Sequence, residues 1–232
     1  YDYAQNLSLQ KRVLLCEKAC RAVARLHKIK LVHRDLKPQN FLVHAGEPLS
    51  VVVADLGSVR QRQGAKSSSH NLFLTWDFAA PEMSFSLKEV EKEADLFSLA
   101  ATIGVLLTGK HPINEDNLVL AHTDAGKTLK DLARLQQSRD AEEEQEFQKL
   151  RECKLEQLLK RNSTLVTEKF WEAWQKSFGS VSPPLKALRE AIEKDLKPIP
   201  YDREVDAGEL AHILRNLAEV LPTETRSPLL PP

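Results

Sequence analysis

The sequence predicts a mainly α-helical fold with short β-hairpins, an α+β lobe, and three features of its 232 residues lead there. First, residues 96–107 form a nearly apolar run, interrupted only by Ser98, Thr102 and Gly104. A helix that is apolar on all sides must be buried. Second, Cys16, Ala19, Cys20, Val23 and Leu26 recur at steps of three and four, the spacing of one helical face. Third, two β-rich runs, residues 41–43 and 51–54, flank the turn-forming Ala45-Gly46-Glu47-Pro48. That is the pattern of a hairpin.

The remaining elements follow in chain order. Ser8 is placed to cap a first long helix that runs to His27. After the hairpin, residues 61–71 are polar, with Gly64 and three serines, and read as an exposed loop. The buried helix spans about residues 93–108 and is closed by Gly109, with Pro112 beyond it. Residues 127–161 are densely charged, with apolar positions at Leu129, Leu132, Phe147, Leu150, Leu155 and Leu158. They read as two amphipathic helices broken near Ser138, solvated on their charged face. Residues 180–184 read as a linker. Asp206 followed by Glu209 predicts a capping box for a last helix to about Val220. Residues 221–232 carry four prolines and are expected to be a mobile tail. The lobe is therefore placed at residues 1–220, with a charged helical insertion at about 120–161.

Composition narrows the partners. Lys plus Arg number 33 and Asp plus Glu number 33, so the formal net charge is zero. Bulk electrostatic attraction to nucleic acid or to anionic lipid is not expected. The longest apolar run is too short to span a bilayer. No basic n-region opens the chain, and the only methionine is Met83, so Tyr1 reads as the start of an excerpt and the compartment stays unknown. Three cysteines make no disulfide framework. Cys16 and Cys20 lie one turn apart, but a metal site needs two further ligands at suitable spacing, so both are assigned to the core.

One stretch carries chemistry: His33-Arg34-Asp35-Leu36-Lys37-Pro38-Gln39-Asn40, between a helix and the hairpin. Asp55-Leu56-Gly57 follows fifteen residues after Asn40, and Ala80-Pro81-Glu82 comes after the polar loop. In this order and spacing the three motifs resemble the catalytic lobe of eukaryotic-type protein kinases, closely over residues 8–108 and loosely beyond. Lys37, two residues after Asp35, resembles the serine/threonine-specific branch. The resemblance implies ATP and Mg²⁺ as cofactors and a protein substrate. Phosphoryl transfer needs the acceptor hydroxyl held in line and the phosphate charge neutralised. Asp35 would orient and deprotonate the hydroxyl, and Lys37 would stand near the γ-phosphate. Asn40 and Asp55 would hold Mg²⁺, which prefers hard oxygen ligands. Leu42 would form the apolar floor under adenine. Thr75 would hydrogen-bond Asp35 and Lys37.

The same resemblance assigns supporting roles. His33 would pack inward, and Leu56, beside Gly57, would replace the more usual phenylalanine of an internal apolar column. Asp95 would accept backbone N–H bonds from the catalytic loop; its plainer reading is a charge in the first turn of a helix. Glu82 would need a buried cation, for which Arg203 is the candidate. Arg34 and Arg60 would face the loop bearing Ser67, Ser68 and Ser69, where a phosphate could be paired by arginines. The plainer reading makes Arg60, Arg62 and Lys66 solvated loop charges.

Other parts of that family's catalytic domain have no counterpart here. There is no G-x-G-x-x-G and no strand lysine ahead of the catalytic loop. The resemblance is thus to a C-terminal lobe, whose expected partner is an N-lobe of the same kinase, and the lobe alone is expected to be inert. Two alternatives remain: a pseudokinase-like binding or scaffold module, and a small-molecule phosphotransferase of the aminoglycoside-kinase type. The intact catalytic residues weigh against the first, and Lys37 with Ala80-Pro81-Glu82 against the second. Residues 40–43 and the charged insertion faintly resemble divergent apicomplexan rhoptry kinases.

Overall fold

The computed structural model describes residues 2–44, 49–61, 77–84, 90–114, 165–179, 181–197, 200–203 and 205–222. Its helices are α1 (Asp2–Gln5), α2 (Leu9–Lys28), α3 (Lys92–Thr108), α4 (Glu168–Phe178), α5 (Pro183–Asp195) and α6 (Ala207–Val220). Its strands are β1 (Leu31–Val32), β2 (Phe41–His44), β3 (Ser50–Val53) and β4 (Arg60–Gln61). They form two antiparallel pairs, β1 with β4 and β2 with β3.

The core is built around α3. Every residue from Ala94 to Leu107 is buried, as an all-round apolar helix requires. Helices α2, α4 and α5 pack against it, and α6 lies along α2. Gly104 sets the closeness of one of these contacts. A Cβ there would stand 3.1 Å from both the Phe170 and the Pro112 side chains. The last turn of α3 ends at Gly109, whose φ of 74° is the left-handed conformation that glycine adopts without strain. Its last carbonyls also accept from side chains. Arg12 Nη1 donates to Leu107 O at 2.7 Å, and Gln5 Nε2 reaches Val105 O and Leu106 O.

Local signals explain the helix starts. The Ser8 hydroxyl accepts the Lys11 N–H at the head of α2. The Asp206 carboxylate accepts the Gly208 and Glu209 N–H groups at the head of α6. The linker expected at residues 180–184 is shorter in the structure. Ser182 caps α5 through the Leu185 N–H, and Pro183 and Pro184 form its first turn. Proline is favoured there because its missing N–H has no helical partner to lose.

The β2–β3 register pairs Phe41 with Val53 and Leu42 with Val52. Side-chain alternation buries Phe41 and Val51 and turns Leu42 and Val52 outward, each 57% exposed. Cys16 and Cys20 are free and buried. Burial pushes the Cys16 thiol up to about 12 and the Cys20 thiol well above its ordinary value, so both pack as small apolar groups. The charged insertion at about 120–161, and the tail beyond residue 222, fall outside the described residues. Among the described residues, no helix is long and apolar enough to cross a membrane.

Asp195, the last residue of α5, is fully buried. Burial raises its carboxyl to about 8, a rise only partly offset by the Val205 backbone N–H and then by the Arg203 charge. An unfolded chain would release the same proton near pH 4. Between these values the folded state holds more protons than the unfolded one, so this group lowers stability as pH rises through that window. Urea unfolding of the native chain between pH 5 and pH 8 should show that decline, and Asp195→Asn should flatten it. Equal slopes for the two proteins would contradict the assignment.

Candidate active site

The loop between β1 and the 3₁₀ turn Pro38–Asn40 carries most of the chemistry-bearing residues. It is fastened to α3 by Asp95, which is fully buried. Asp95 Oδ2 accepts the His33 N–H at 2.8 Å, and Oδ1 accepts the Arg34 N–H at 2.8 Å. His27 Nε2, from the last turn of α2, lies 2.9 Å from the same Oδ2. A buried carboxylate is tolerated only when its oxygens are paired in this way.

Those bonds hold a strained backbone. Arg34 has φ 69°, a left-handed conformation that costs an ordinary residue about 1–2 kcal/mol. Its N–H is held by Asp95, and its Nε donates to Ser58 O at 2.7 Å. The guanidinium is therefore buried against the 3₁₀ turn Leu56–Ser58. His33 is buried too. Its Nδ1 accepts the Asp35 N–H at 3.3 Å, and its Nε2 lies 2.9 Å from Ala54 O. The tautomer with the proton on Nε2 satisfies both contacts.

The strain presents Asp35. Lys37 Nζ stands 2.9 Å from Asp35 Oδ2. Asn40 Nδ2 donates to the same oxygen at 3.0 Å and to Asp35 O at 2.7 Å. Both side-chain contacts fall on Oδ2, so Oδ1 is the oxygen an incoming hydroxyl would meet. With Nδ2 committed to Asp35, the Asn40 amide oxygen is directed to the other side, where it can serve a cation.

Asp55 comes to the same end of the hairpin. The Phe41–Val53 pairing continues into an Ala54 N–H bond to Asn40 O at 2.8 Å, and Asp55 is next in the chain. Asp55 has φ 56° and ψ 65°, a conformation Asp tolerates better than most residues. It is exposed. A Cβ at Gly57 would sit 3.3 Å from Asp55 Oδ1, so glycine leaves room for that carboxylate. Among the described residues no cluster of three His, Cys, Asp or Glu side chains could hold a metal unaided. One carboxylate and one amide oxygen fit Mg²⁺ when phosphate oxygens and water supply the other ligands.

Leu56 departs from expectation. The resemblance puts it in an internal column, yet it is 56% exposed and stands at the surface like Leu42 and Val52. The left-handed Asp55 turns the chain, and no described element covers residue 56. Glu82 and Arg203 meet 121 residues apart in sequence, at 2.6 Å (Oε1 to Nη1) and 2.9 Å (Oε2 to Nη2). Arg203 also donates to Lys197 O and Glu93 O, and its guanidinium carbon lies 4.9 Å from the Phe97 ring centre. Thr75, Ser67, Ser68, Ser69 and the Arg60 side chain fall outside the described residues; the Arg60 backbone pairs with Val32 in β1–β4. Sequence reasoning missed His27 and Ser58. His27 sits six residues before His33, and only the approach of α3 shows its partner.

Comparison with known proteins gives consistent matches. The protein kinase domain family matches residues 2–191. Human cyclin-dependent kinase 20 is 33% identical over 89 residues, covering 38% of this chain and 25% of that protein. The serine/threonine-protein kinase/endoribonuclease IRE1 of Oryza sativa subsp. japonica is 35% identical over 116 residues, covering 48% of this chain and 12% of that protein. The meiosis-specific serine/threonine-protein kinase MEK1 of Saccharomyces cerevisiae is 27% identical over 132 residues, covering 50% and 27%. The chain thus spans well under half the length of these relatives. A crystal structure of the Rad53 kinase domain and SCD2 superposes with a TM-score of 0.54 at 17% identity, covering 95% of this chain and 60% of that one, a likeness of fold.

The Glu82–Arg203 pair can be tested by a double-mutant cycle. Removing one partner of a buried pair leaves an uncompensated charge, so Glu82→Ala and Arg203→Ala should each cost about 3 kcal/mol of unfolding free energy. The double variant should cost little more than either single one. Small and additive losses would show that the pair does not anchor this segment.

Proposed function

The chain belongs to the protein kinase domain family, and from that premise we propose that it is the C-terminal catalytic lobe of a serine/threonine protein kinase. The lobe is assigned to residues 1–220, with a charged insertion at about 120–161 and a proline-rich tail at 221–232. The reaction is transfer of the ATP γ-phosphate to a serine or threonine hydroxyl of a protein. One observation carries this reading: the Asp35 carboxylate held between the Lys37 ammonium and the Asn40 amide.

In this reading Asp35 Oδ1 accepts the hydroxyl proton as the acceptor oxygen attacks phosphorus and the bond to ADP breaks. Lys37 stabilises charge on the transferring phosphate. Asn40 and Asp55 would hold Mg²⁺, which when bound would neutralise phosphate charge. Leu42 lies under adenine. Thr75 is assigned to bracing Asp35 and Lys37. His33, Gly57, Glu82, Asp95 and Arg203 position these groups rather than touching substrate. Leu42 and Val52, opposite each other in the hairpin and both exposed, support an N-lobe seated over this face, since exposed apolar surface of this kind marks an interaction site. Arg34 and Arg60 are assigned to a phosphate on Ser67, Ser68 or Ser69. Preference for serine and threonine rests on Lys37 and on the printed names of the relatives.

In the whole protein, Asp35→Asn should lower phosphotransfer by a factor of about 10² or more while leaving ATP affinity nearly unchanged. Asp55→Asn should weaken Mg·ATP binding as well as turnover. Steady-state kinetics with nucleotide titration separates the two. An Asp35→Asn enzyme within about threefold of the native rate, a barrier change of under 1 kcal/mol, would contradict the assignment.

A further inference from the structure

Exposed charge is not spread evenly over the helices. On α4, α5 and α6 cations and acids mix, and Lys186–Glu190, Arg189–Glu193 and Arg215–Glu219 pair one turn apart. Helix α2 differs. Lys11, Lys18, Arg21, Arg25 and Lys28 fall within about 100° of its circumference and run about 25 Å along it. The one acid of α2 is Glu17, which is fully buried and pairs with Lys18 and Arg21 from the inner side. Among the described residues, no ion pair engages Lys11, Arg25, Lys28 or the adjoining Lys30, all exposed. Like charges three and four residues apart destabilise a helix, so this stripe works against the fold that carries it. Ile29, at the end of the stripe between Lys28 and Lys30, is 63% exposed.

We propose that this face of α2 is a docking surface for an acidic segment of a partner protein, with carboxylates at helical spacing and an apolar side chain that meets Ile29. Complementarity of charge calls for an anion. Three features favour a protein over a phosphate polymer or a lipid surface. The stripe is one helix wide, and the adjacent α6 exposes Glu209 and Glu219, which would repel a broad anionic surface. Helix α2 has no Phe, Tyr or Trp, so nucleic-acid bases find no ring to stack on. Ile29 offers an apolar contact that suits a side chain and not a phosphate backbone. A single exposed ion pair contributes little, so several must form in register. A 20-residue helix packed on the core supplies that register. The inference does not rest on the assignment of Asp35.

The test uses a fluorescent peptide of about eighteen residues, whose helix matches the stripe in length. It carries glutamates at steps of three and four and one terminal leucine, and a scramble of the same composition serves as its control. Read by anisotropy at low salt, the patterned peptide should bind the chain about tenfold more tightly than the scramble. Salt at about 0.5 M should remove most of that binding, because exposed pairs are screened. Arg25→Glu combined with Lys28→Glu should weaken it about tenfold or more. The milder Lys11→Gln combined with Lys18→Gln should weaken it in the same direction. Lys176→Glu combined with Lys186→Glu changes the net charge as much as the first pair, from exposed positions on α4 and α5, and should leave binding unchanged. Equal binding of pattern and scramble, an equal loss in the α4–α5 control, or binding that survives both α2 changes would overturn the proposal. So would tighter binding of a single-stranded oligonucleotide or of phosphatidylserine-containing vesicles that the same α2 changes abolish, which would give the face to phosphate. Self-association of the chain abolished by those changes would make the occupant a second copy and overturn it too.

Discussion

The carboxylate of Asp95 is the constraint on which the site depends. It sits on a helix buried from residue 94 to residue 107, so it has no access to water and must find its donors within the protein. It finds them in the His33 and Arg34 backbone amides and the His27 ring. The most apolar helix of the chain thereby dictates where the most polar loop lies. The left-handed Arg34 persists because bonds at its own amide and at its side chain over-determine it. Asp35 is the next residue, and its orientation is inherited from that bend.

A second tie reaches α3 from the far side of the sequence. Arg203 joins Glu82, the Glu93 carbonyl and the Phe97 ring, so the segment after the polar loop and the α5–α6 connection converge on the same helix. Buried ion pairs add little net stability compared with apolar replacements, but they penalise alternatives that leave either charge unpaired. Here the consequence is register. Glu82 has one geometry in which both its oxygens meet both terminal guanidinium nitrogens. The loop and the segment are thus held to one scaffold at two points.

Elements governed by local rules were legible in the sequence. The face of α2 showed in the spacing of Cys16, Cys20 and Val23, and the burial of α3 in its unbroken apolar run. The cap of α6 showed in Asp206, and the hairpin in two β-rich runs around a turn. The Asp35, Lys37 and Asn40 grouping was readable because a short loop and one 3₁₀ turn bring them together with little help from the rest of the chain. What escaped depends on distant approach. His27 is an ordinary basic residue in a last helical turn until α3 arrives. Leu56 follows an aspartate whose positive φ the sequence does not announce, and the internal column in which the family resemblance placed it is not formed within the described residues. Pro183 and Pro184 read as linker because proline serves equally in a loop and in a first helical turn.

The most direct test of this account is amide hydrogen exchange at His33 and Arg34. They lie in a loop, where amides ordinarily exchange through small local openings. If Asp95 holds the loop of residues 33–40 to α3, both amides should exchange as slowly as those of the middle of α3. Asp95→Asn should speed them by orders of magnitude while α3 itself remains protected. Exchange of both amides in the native chain at rates typical of exposed loops would contradict the claim that this carboxylate positions the site.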